Sequence, residues 1–126
     1  ALLQAHQPAL WIAAPVLKAV DGALPYLQPL QPAISAWNPN RQRAYYLYGG
    51  RWPAQPVSPQ GLDYDPLYGR SANQERLIGS AGTQLHSGDW VFLRPAVSEG
   101  LLADFSEIRL LRRGQLVGRW STIGNA

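Results

Sequence analysis

Short apolar segments separated by turn signals run along most of the chain. Residues 43–48 and 74–79 are segments of this kind, and so are 89–94, 107–112 and 115–121. They are too short for typical helices and carry the aromatic and aliphatic residues that strands favour. The pattern therefore predicts a series of short β-strands with turns between them.

The N-terminal segment 8–20 is apolar as well and is predicted to form a strand that Pro15 interrupts. Proline lacks a backbone N–H, so this strand is expected at a sheet edge or with a bulge. Further along, a short helix is predicted to begin at Pro32 and to end before Asn38-Pro39.

Two other segments give less regular predictions. Pro53, Pro56 and Pro59 stand at every third position, which favours an extended, polyproline-like backbone on the surface. After the strand at 89–94, Ser98 is predicted to cap a short helix over 98–105, with Glu99 in its first turn.

These elements together predict the fold class. We expect a mainly β protein, a distorted β-barrel of short, mostly antiparallel strands with one or two short helices. A chain of 126 residues suffices for a single domain, so residues 1–126 are interpreted as one β domain.

Composition narrows the possible functions. The chain has no cysteine, which excludes disulfides, thiolate metal sites and a cysteine nucleophile and fits a reducing compartment. It also lacks a signal-peptide pattern and any apolar run long enough to span a bilayer, so a cytoplasmic location without membrane contact is predicted. Methionine is absent too, which indicates a fragment of a longer protein.

Few side chains are candidates for chemistry. His6 and His86 have no neighbour at metal-ligand spacing, and the only lysine, Lys18, precedes a turn, so all three are predicted to face solvent. Two polar clusters remain, at 71–76 and at 94–100. From the residues alone, both are consistent with capped polar loops as well as with a site.

Four segments taken in order resemble a known family. "YYLYGGRW", "GLDYDPLYGRSANQERLIG", "LHSGDWVFLRP" and "LLRRGQLVGRW" resemble the C-terminal β domain of the D-threonine aldolase and D-serine dehydratase family, which are pyridoxal-phosphate enzymes of the alanine-racemase fold type. The resemblance covers about residues 43–123. Glu75 matches the glutamate of the family's Glu-His-Gly element, with Arg76 and Leu77 in place of His and Gly, and Trp120 matches the closing Trp.

The family's metal motif is altered in this chain. Pro95 matches the proline of that motif, Val97 stands where the metal-binding His belongs, and Glu99 stands where the Cys or Asp belongs. A valine cannot bind a metal, and a single carboxylate makes a poor transition-metal site. The resemblance therefore implies the domain without its metal, in a branch where the cofactor itself stabilises the carbanion.

The resemblance also implies a division of labour. The cofactor would be pyridoxal phosphate in the full-length enzyme, held by an N-terminal α/β barrel and not by this chain alone. The domain would complete the active site and the homodimer, with that barrel in the same or the partner subunit, and the isolated chain is expected to be inactive. Glu99 and Ser98 are the predicted catalytic residues, and the predicted contacts to a small amino-acid substrate are Asn73, Gln74, Glu75 and Arg76.

Two alternatives come from other classes of protein. One is a free-standing basic barrel that binds nucleic acid or another anion, using Arg112, Arg113, Arg119 and exposed aromatic residues. A net charge of +3 with scattered arginines makes nucleic acid the weaker reading. The other is an interaction module that uses the proline-rich segment 53–59.

Overall fold

A computed structural model describes residues 6–22, 28–97 and 99–122. The described residues form eight strands, one short α-helix and three 3₁₀ turns. The strands are β1 (Ile12–Asp21), β2 (Arg43–Tyr48), β3 (Ala54–Ser58), β4 (Asp63–Tyr64), β5 (Gln74–Gly79), β6 (Trp90–Pro95), β7 (Glu107–Arg112) and β8 (Gln115–Ser121). Helix α1 spans Gln31–Trp37, and the 3₁₀ turns span Gln28–Leu30, Pro39–Arg41 and Leu101–Asp104.

Six strands form one antiparallel sheet in the order β3-β6-β1-β2-β5-β4. The sheet curls until its two edge strands approach each other, and the Tyr64 hydroxyl on β4 donates a hydrogen bond to the carbonyl of Ala54 on β3. The result is a nearly closed barrel, so the predicted mainly β fold class is confirmed. No helix in the described ranges is long and apolar enough to cross a membrane.

Strand β1 joins the two halves of the barrel. Its residues Ile12–Pro15 pair with β6, whereas its residues from Val16 to Asp21 pair with β2. Pro15 lies at the switch between the two partners, where it has a strand neighbour on one side only. Pro15 therefore lies at a local edge of the sheet, as its missing N–H predicts. The predicted interruption was wrong, because the strand continues through Pro15.

Alternating side chains of the six strands fill the barrel. Tyr45, Leu47, Leu77 and Leu93 are fully buried, because every second residue of a strand points to the same face. From outside the sheet, Leu101 closes one end of this core.

Two predictions about local structure were wrong. Residues 54–58 form strand β3 and not a polyproline segment, because β3 is an edge strand in which Pro56 can sit with a bulge between it and Ser58. The helix expected over 98–105 is a single 3₁₀ turn that begins at Leu101, with Gly100 as its N-cap at φ 77°. Glu99 therefore lies before that turn and not in it.

Strands β7 and β8 form a separate two-stranded hairpin outside the barrel. Its base is tied by hydrogen bonds from Thr122 to the carbonyls of Ser106 (3.2 Å) and Phe105. Phe105 packs on Trp52 with the ring centroids 5.6 Å apart. Every residue from 111 to 121 is exposed.

Candidate functional site

The two polar clusters of the sequence lie at the same end of the barrel. Strands β2 and β6 are both antiparallel to β1, so they run in the same direction and end at the same side. Strand β5 begins where β2 ends, since Gln74 pairs with Tyr48. We call this end, formed by residues 49–53, 70–75, 95–97 and 99, the rim.

The segment from Arg51 to Pro53 contacts both clusters. The backbone N–H of Arg51 donates to Glu75 Oε2 at 2.6 Å, and the carbonyl of Pro53 accepts from the N–H of Ala96 at 2.7 Å. Three extended residues span at most about 11 Å, so these two contacts lie within that distance of each other. The rim is therefore one continuous structure.

Glu75 is buried in a cage of donors. Besides Arg51, its carboxylate accepts from the N–H of Ser71 at 3.3 Å and from Arg70 Nε at 3.0 Å. Gly50 makes this approach possible, because it has φ 145° and a Cβ there would lie 2.1 Å from the Ser71 carbonyl oxygen. Because two of these three hydrogen bonds come from backbone N–H groups, Glu75 fixes the shape of the rim.

Arg70 continues this arrangement towards the barrel wall. It donates to the carbonyl of Trp52 at 2.7 Å, and its guanidinium lies 3.7 Å from the ring centroid of Tyr64. Burial raises the pKa of the Tyr64 phenol, although the Arg70 cation acts in the opposite direction. The contact between Arg70 and Tyr64 keeps the loop before β5 against the edge strand β4.

Arg76 points to the outside of the barrel and takes part in a buried ionic cluster. Asp65 Oδ2 accepts from Arg76 Nε at 2.8 Å, and both of its oxygens accept from Arg41 Nη2, at 2.8 and 2.9 Å. The backbone N–H of Leu67 adds a fourth bond at 3.0 Å. Burial by itself raises the pKa of Asp65, but the hydrogen bonds from Arg76 and Arg41 outweigh it and leave that pKa below its ordinary value.

Two tyrosines complete this cluster. Arg76 Nη1 donates to the Tyr46 hydroxyl at 2.7 Å, and the guanidinium lies 4.3 Å from the ring centroid of Tyr68. Arg41 Nε and Arg76 Nη2 are buried without a hydrogen-bond partner in the described residues. All four hydrogen bonds to Asp65 come from within the chain, so the role of the cluster is architectural.

Sequence reasoning did not identify Asp65 or Arg41. The alternation in Leu62-Asp63-Tyr64-Asp65 was an available signal, because it predicts a strand with two acidic positions on one face. Only Asp65 is buried, however, because its partners arrive from 24 and 11 residues away.

Of the predicted substrate contacts, Asn73 and Gln74 are exposed, whereas Glu75 and Arg76 are buried. The backbone carbonyl of Asn73 accepts a hydrogen bond from the N–H of Gly49 at 3.0 Å, and the Asn73 side chain remains at the surface. Glu99 is exposed and forms no ion pair with another described residue. Ser98 lies outside the described residues.

A shallow depression lies between the segment before β1 and the end of β6. It has a volume of about 270 Å³, is open to solvent and is lined by Pro8, Ala9, Leu10, Arg94, Pro95, Ala96 and Val97. The guanidinium of Arg94 is the only charge in an otherwise apolar lining. This shape is suited to a surface that a second protein domain covers and not to an enclosed substrate pocket.

The described residues contain no group of three or more side chains suited to hold a metal. Lys18, the only lysine in the sequence, lies on the outer face of the barrel, with Nζ 4.5 Å from the ring centroid of Tyr46. The His86 side chain is exposed, with Nδ1 3.5 Å from the carboxylate of Asp89.

The hairpin brings together the residues of the nucleic-acid alternative. Arg109 and Arg119 share one face and both contact Glu107, while Arg112 and Arg113 stand at the tip. Trp120 and three aliphatic side chains are exposed beside them: Leu111, Leu116 and Val117. The hairpin is thus both basic and apolar.

Comparisons with known protein families, with curated proteins and with solved structures gave no match. The functional interpretation therefore depends on the residues and their geometry.

Proposed function

We propose that the chain is the C-terminal β domain of a pyridoxal-phosphate-dependent enzyme that acts on D-amino acids as an aldolase, dehydratase or racemase. In this proposal the rim completes the active site of an α/β barrel domain in the same or the partner subunit of a cytoplasmic homodimer. The cofactor is bound by that barrel, where it supplies carbanion stabilisation at Cα. No metal takes part through this domain.

One observation carries the proposal. The loop after β6 and the polar segment at the start of β5 are two separate elements in the sequence. Through Arg51–Pro53 they form a single rim. A rim with exposed polar side chains and no enclosed cavity is what a domain needs when a partner supplies the other wall of the site.

The rim residues divide into two roles under this proposal. Glu99, with Ser98 beside it in sequence, is the exposed carboxylate available to transfer a proton or to bind a substrate group. Asn73 and Gln74 offer amide groups for hydrogen bonds to the substrate. Glu75 is a positioning residue that holds the rim through Arg51 and Arg70.

The test uses the native polypeptide that contains this chain, purified and titrated with pyridoxal phosphate. We expect the visible absorbance of bound cofactor, and a Glu99→Gln variant with unchanged cofactor content and reduced turnover of D-amino acids. The 126-residue chain alone is expected to show neither cofactor absorbance nor turnover. A native protein that stays colourless at saturating cofactor would refute the proposal.

A second candidate function is binding of single-stranded nucleic acid by the hairpin, favoured by its four arginines and the exposed Trp120 on the same two strands. Such binding weakens steeply with salt because counterions are released from the phosphates. Fluorescence anisotropy with a labelled oligonucleotide at low and moderate salt measures it, with Arg112→Gln/Arg113→Gln as the variant. Arg51→Gln, an exposed arginine on the barrel, is the matched control.

A further inference from the structure

The outer face of strands β6 and β1 carries mostly apolar side chains, which is unusual for the solvent-facing side of a barrel. On β6 the outward residues are Trp90, Phe92 and Arg94, whereas Val91 and Leu93 point to the core. Ala13 and Pro15 of β1 pair with Phe92 and Trp90, so they share this face. Trp11 continues the alternation of β1 on the same side. We call these six outward residues the aromatic face.

The aromatic face is large and nearly uncharged. Trp11, Trp90 and Phe92 are 43%, 53% and 40% exposed. For aromatic side chains this corresponds to roughly 300 Å² of accessible surface from the three rings alone. A contiguous apolar patch of that size on a monomer is often functional.

We infer that the aromatic face binds a second copy of this chain. The two copies face each other across a two-fold axis that lies in the interface, perpendicular to the strands, and passes by Phe92. This arrangement stacks the two sheets face to face at about 10 Å, as in a β-sandwich.

A symmetric contact requires a surface that is complementary to itself. Arg94 and Trp90 lie two residues to either side of Phe92, about 6.6 Å along the strand in each direction. The two-fold axis therefore places Arg94 of each copy over Trp90 of the other, which is a favourable cation–π geometry. Phe92 meets its own symmetry mate on the axis.

The neighbouring strand fits the same axis. Ala13 pairs with Phe92 and therefore also lies on the axis, so a small residue faces a small residue beside the two Phe92 rings. Trp11 of one copy then lies over Pro15 of the other, two apolar partners with no buried charge. The only charged group on the face, Arg94, already has an aromatic partner.

The hairpin is a poorer surface for self-association. Its four arginines against the single carboxylate of Glu107 would oppose those of the second copy. The aromatic face has no such repulsion. With its polar margins it would bury about 1,000 Å² in total, the low end for specific interfaces, so a weak, concentration-dependent dimer is expected.

Sedimentation of the 126-residue chain over a hundredfold range of concentration measures this dimer. We expect reversible dimerisation, and its loss in Phe92→Glu, which places two like charges together on the axis. Trp37→Glu is the matched control, because Trp37 is 92% exposed but lies on α1, away from the face. Circular dichroism verifies that both variants remain folded. A chain that stays monomeric, or a dimer that Phe92→Glu leaves intact, overturns the inference.

Cross-linking locates the contact independently, because the natural chain has no cysteine. Ala13→Cys keeps every aromatic residue and sits on the axis, so a short bis-maleimide should link two copies efficiently. Gln84→Cys in an exposed loop gives the background, and Ser121→Cys reports on the hairpin. Linking that is strongest at Ser121, or equal at all three positions, contradicts the inference.

This inference does not rest on the proposed enzymatic role. The dimer is measured on the chain alone and the cofactor on the native polypeptide, so either can fail without the other.

Discussion

Glu75 and Glu99 belong to the same rim, but their carboxylates have opposite surroundings. Glu75 is buried and accepts hydrogen bonds from two backbone N–H groups and from Arg70. Glu99 is exposed in the loop after β6. The same rim therefore contains one carboxylate that shapes the protein and one that is free to meet a ligand.

The difference shows how buried charge can be interpreted. Removing an ion from water costs several kcal/mol, so a buried carboxylate persists only where the fold supplies donors for it. The Glu75 carboxylate accepts three hydrogen bonds and the Asp65 carboxylate accepts four, all from donors within the chain. Because those partners are intramolecular, substitutions there should act on stability first, whereas substitutions at Glu99 should act on function.

The largest effect is expected from Asp65→Asn. The variant keeps the shape of the side chain but leaves Arg41 and Arg76 buried without a counter-charge, which should lower the free energy of unfolding by about 3–5 kcal/mol. Urea denaturation measures it. Asp63→Asn, two residues earlier on β4 and exposed, is the matched control and should change stability by less than about 0.5 kcal/mol.

Glu75→Gln should have an intermediate effect. The amide oxygen can still accept from Arg51 and Arg70, but its NH₂ group then faces the Ser71 N–H and the charge of the pair with Arg70 is lost, at a cost of about 1–3 kcal/mol. The exposed neighbour substitution Asn73→Ala should be nearly neutral, because Asn73 contributes only its carbonyl to the rim. A Glu75→Gln protein of wild-type stability would show that the cage is not structural.

Acidification should weaken the buried ionic cluster around Asp65. The folded-state pKa of Asp65 is below its unfolded value, so its contribution is present above about pH 4 and is lost as the pH falls through the folded value. The free energy of unfolding should therefore decrease more steeply below about pH 4 in the wild type than in Asp65→Asn. Equal slopes would mean that Asp65 does not carry this acid dependence.

The smallest change in stability is expected for Glu99→Gln. An exposed side chain without an ion pair in the described residues should contribute less than about 0.5 kcal/mol. If the same variant of the native polypeptide lost turnover, the contrast with Glu75 would be complete. A clear loss of stability would instead place Glu99 in the architecture.

Many of the strands could be predicted from local sequence. The segments 43–48, 74–79, 107–112 and 115–121 match β2, β5, β7 and β8 residue for residue, because each is bounded by its own turn. The strand β3 could not be predicted in this way, since its proline, Pro56, is tolerated only through the position of the strand at the edge, next to β6. Edge position is a property of the whole sheet.

The candidate site was less accessible to sequence reasoning. The local pattern identified Asn73–Arg76 as one polar cluster, but strand alternation sends Glu75 towards the core and Arg76 to the outer face. Both are buried, and Arg76 is held on the outer face by Asp65, which also binds Arg41 in the folded chain. Long-range pairing of this kind leaves no local signal.

The exchange of partners along β1 has a consequence for cooperativity. Strand β1 is hydrogen-bonded to both groups, β3 and β6 on one side and β2, β5 and β4 on the other. A two-stranded group is at best marginally stable alone, and β4 adds only two residues to the other group. Local opening of one group would expose the other, so amide protons throughout the barrel should exchange with solvent at similar, slow rates. The hairpin amides, outside this shared strand, should exchange much faster, and the protein would show two dynamic units within a single short chain.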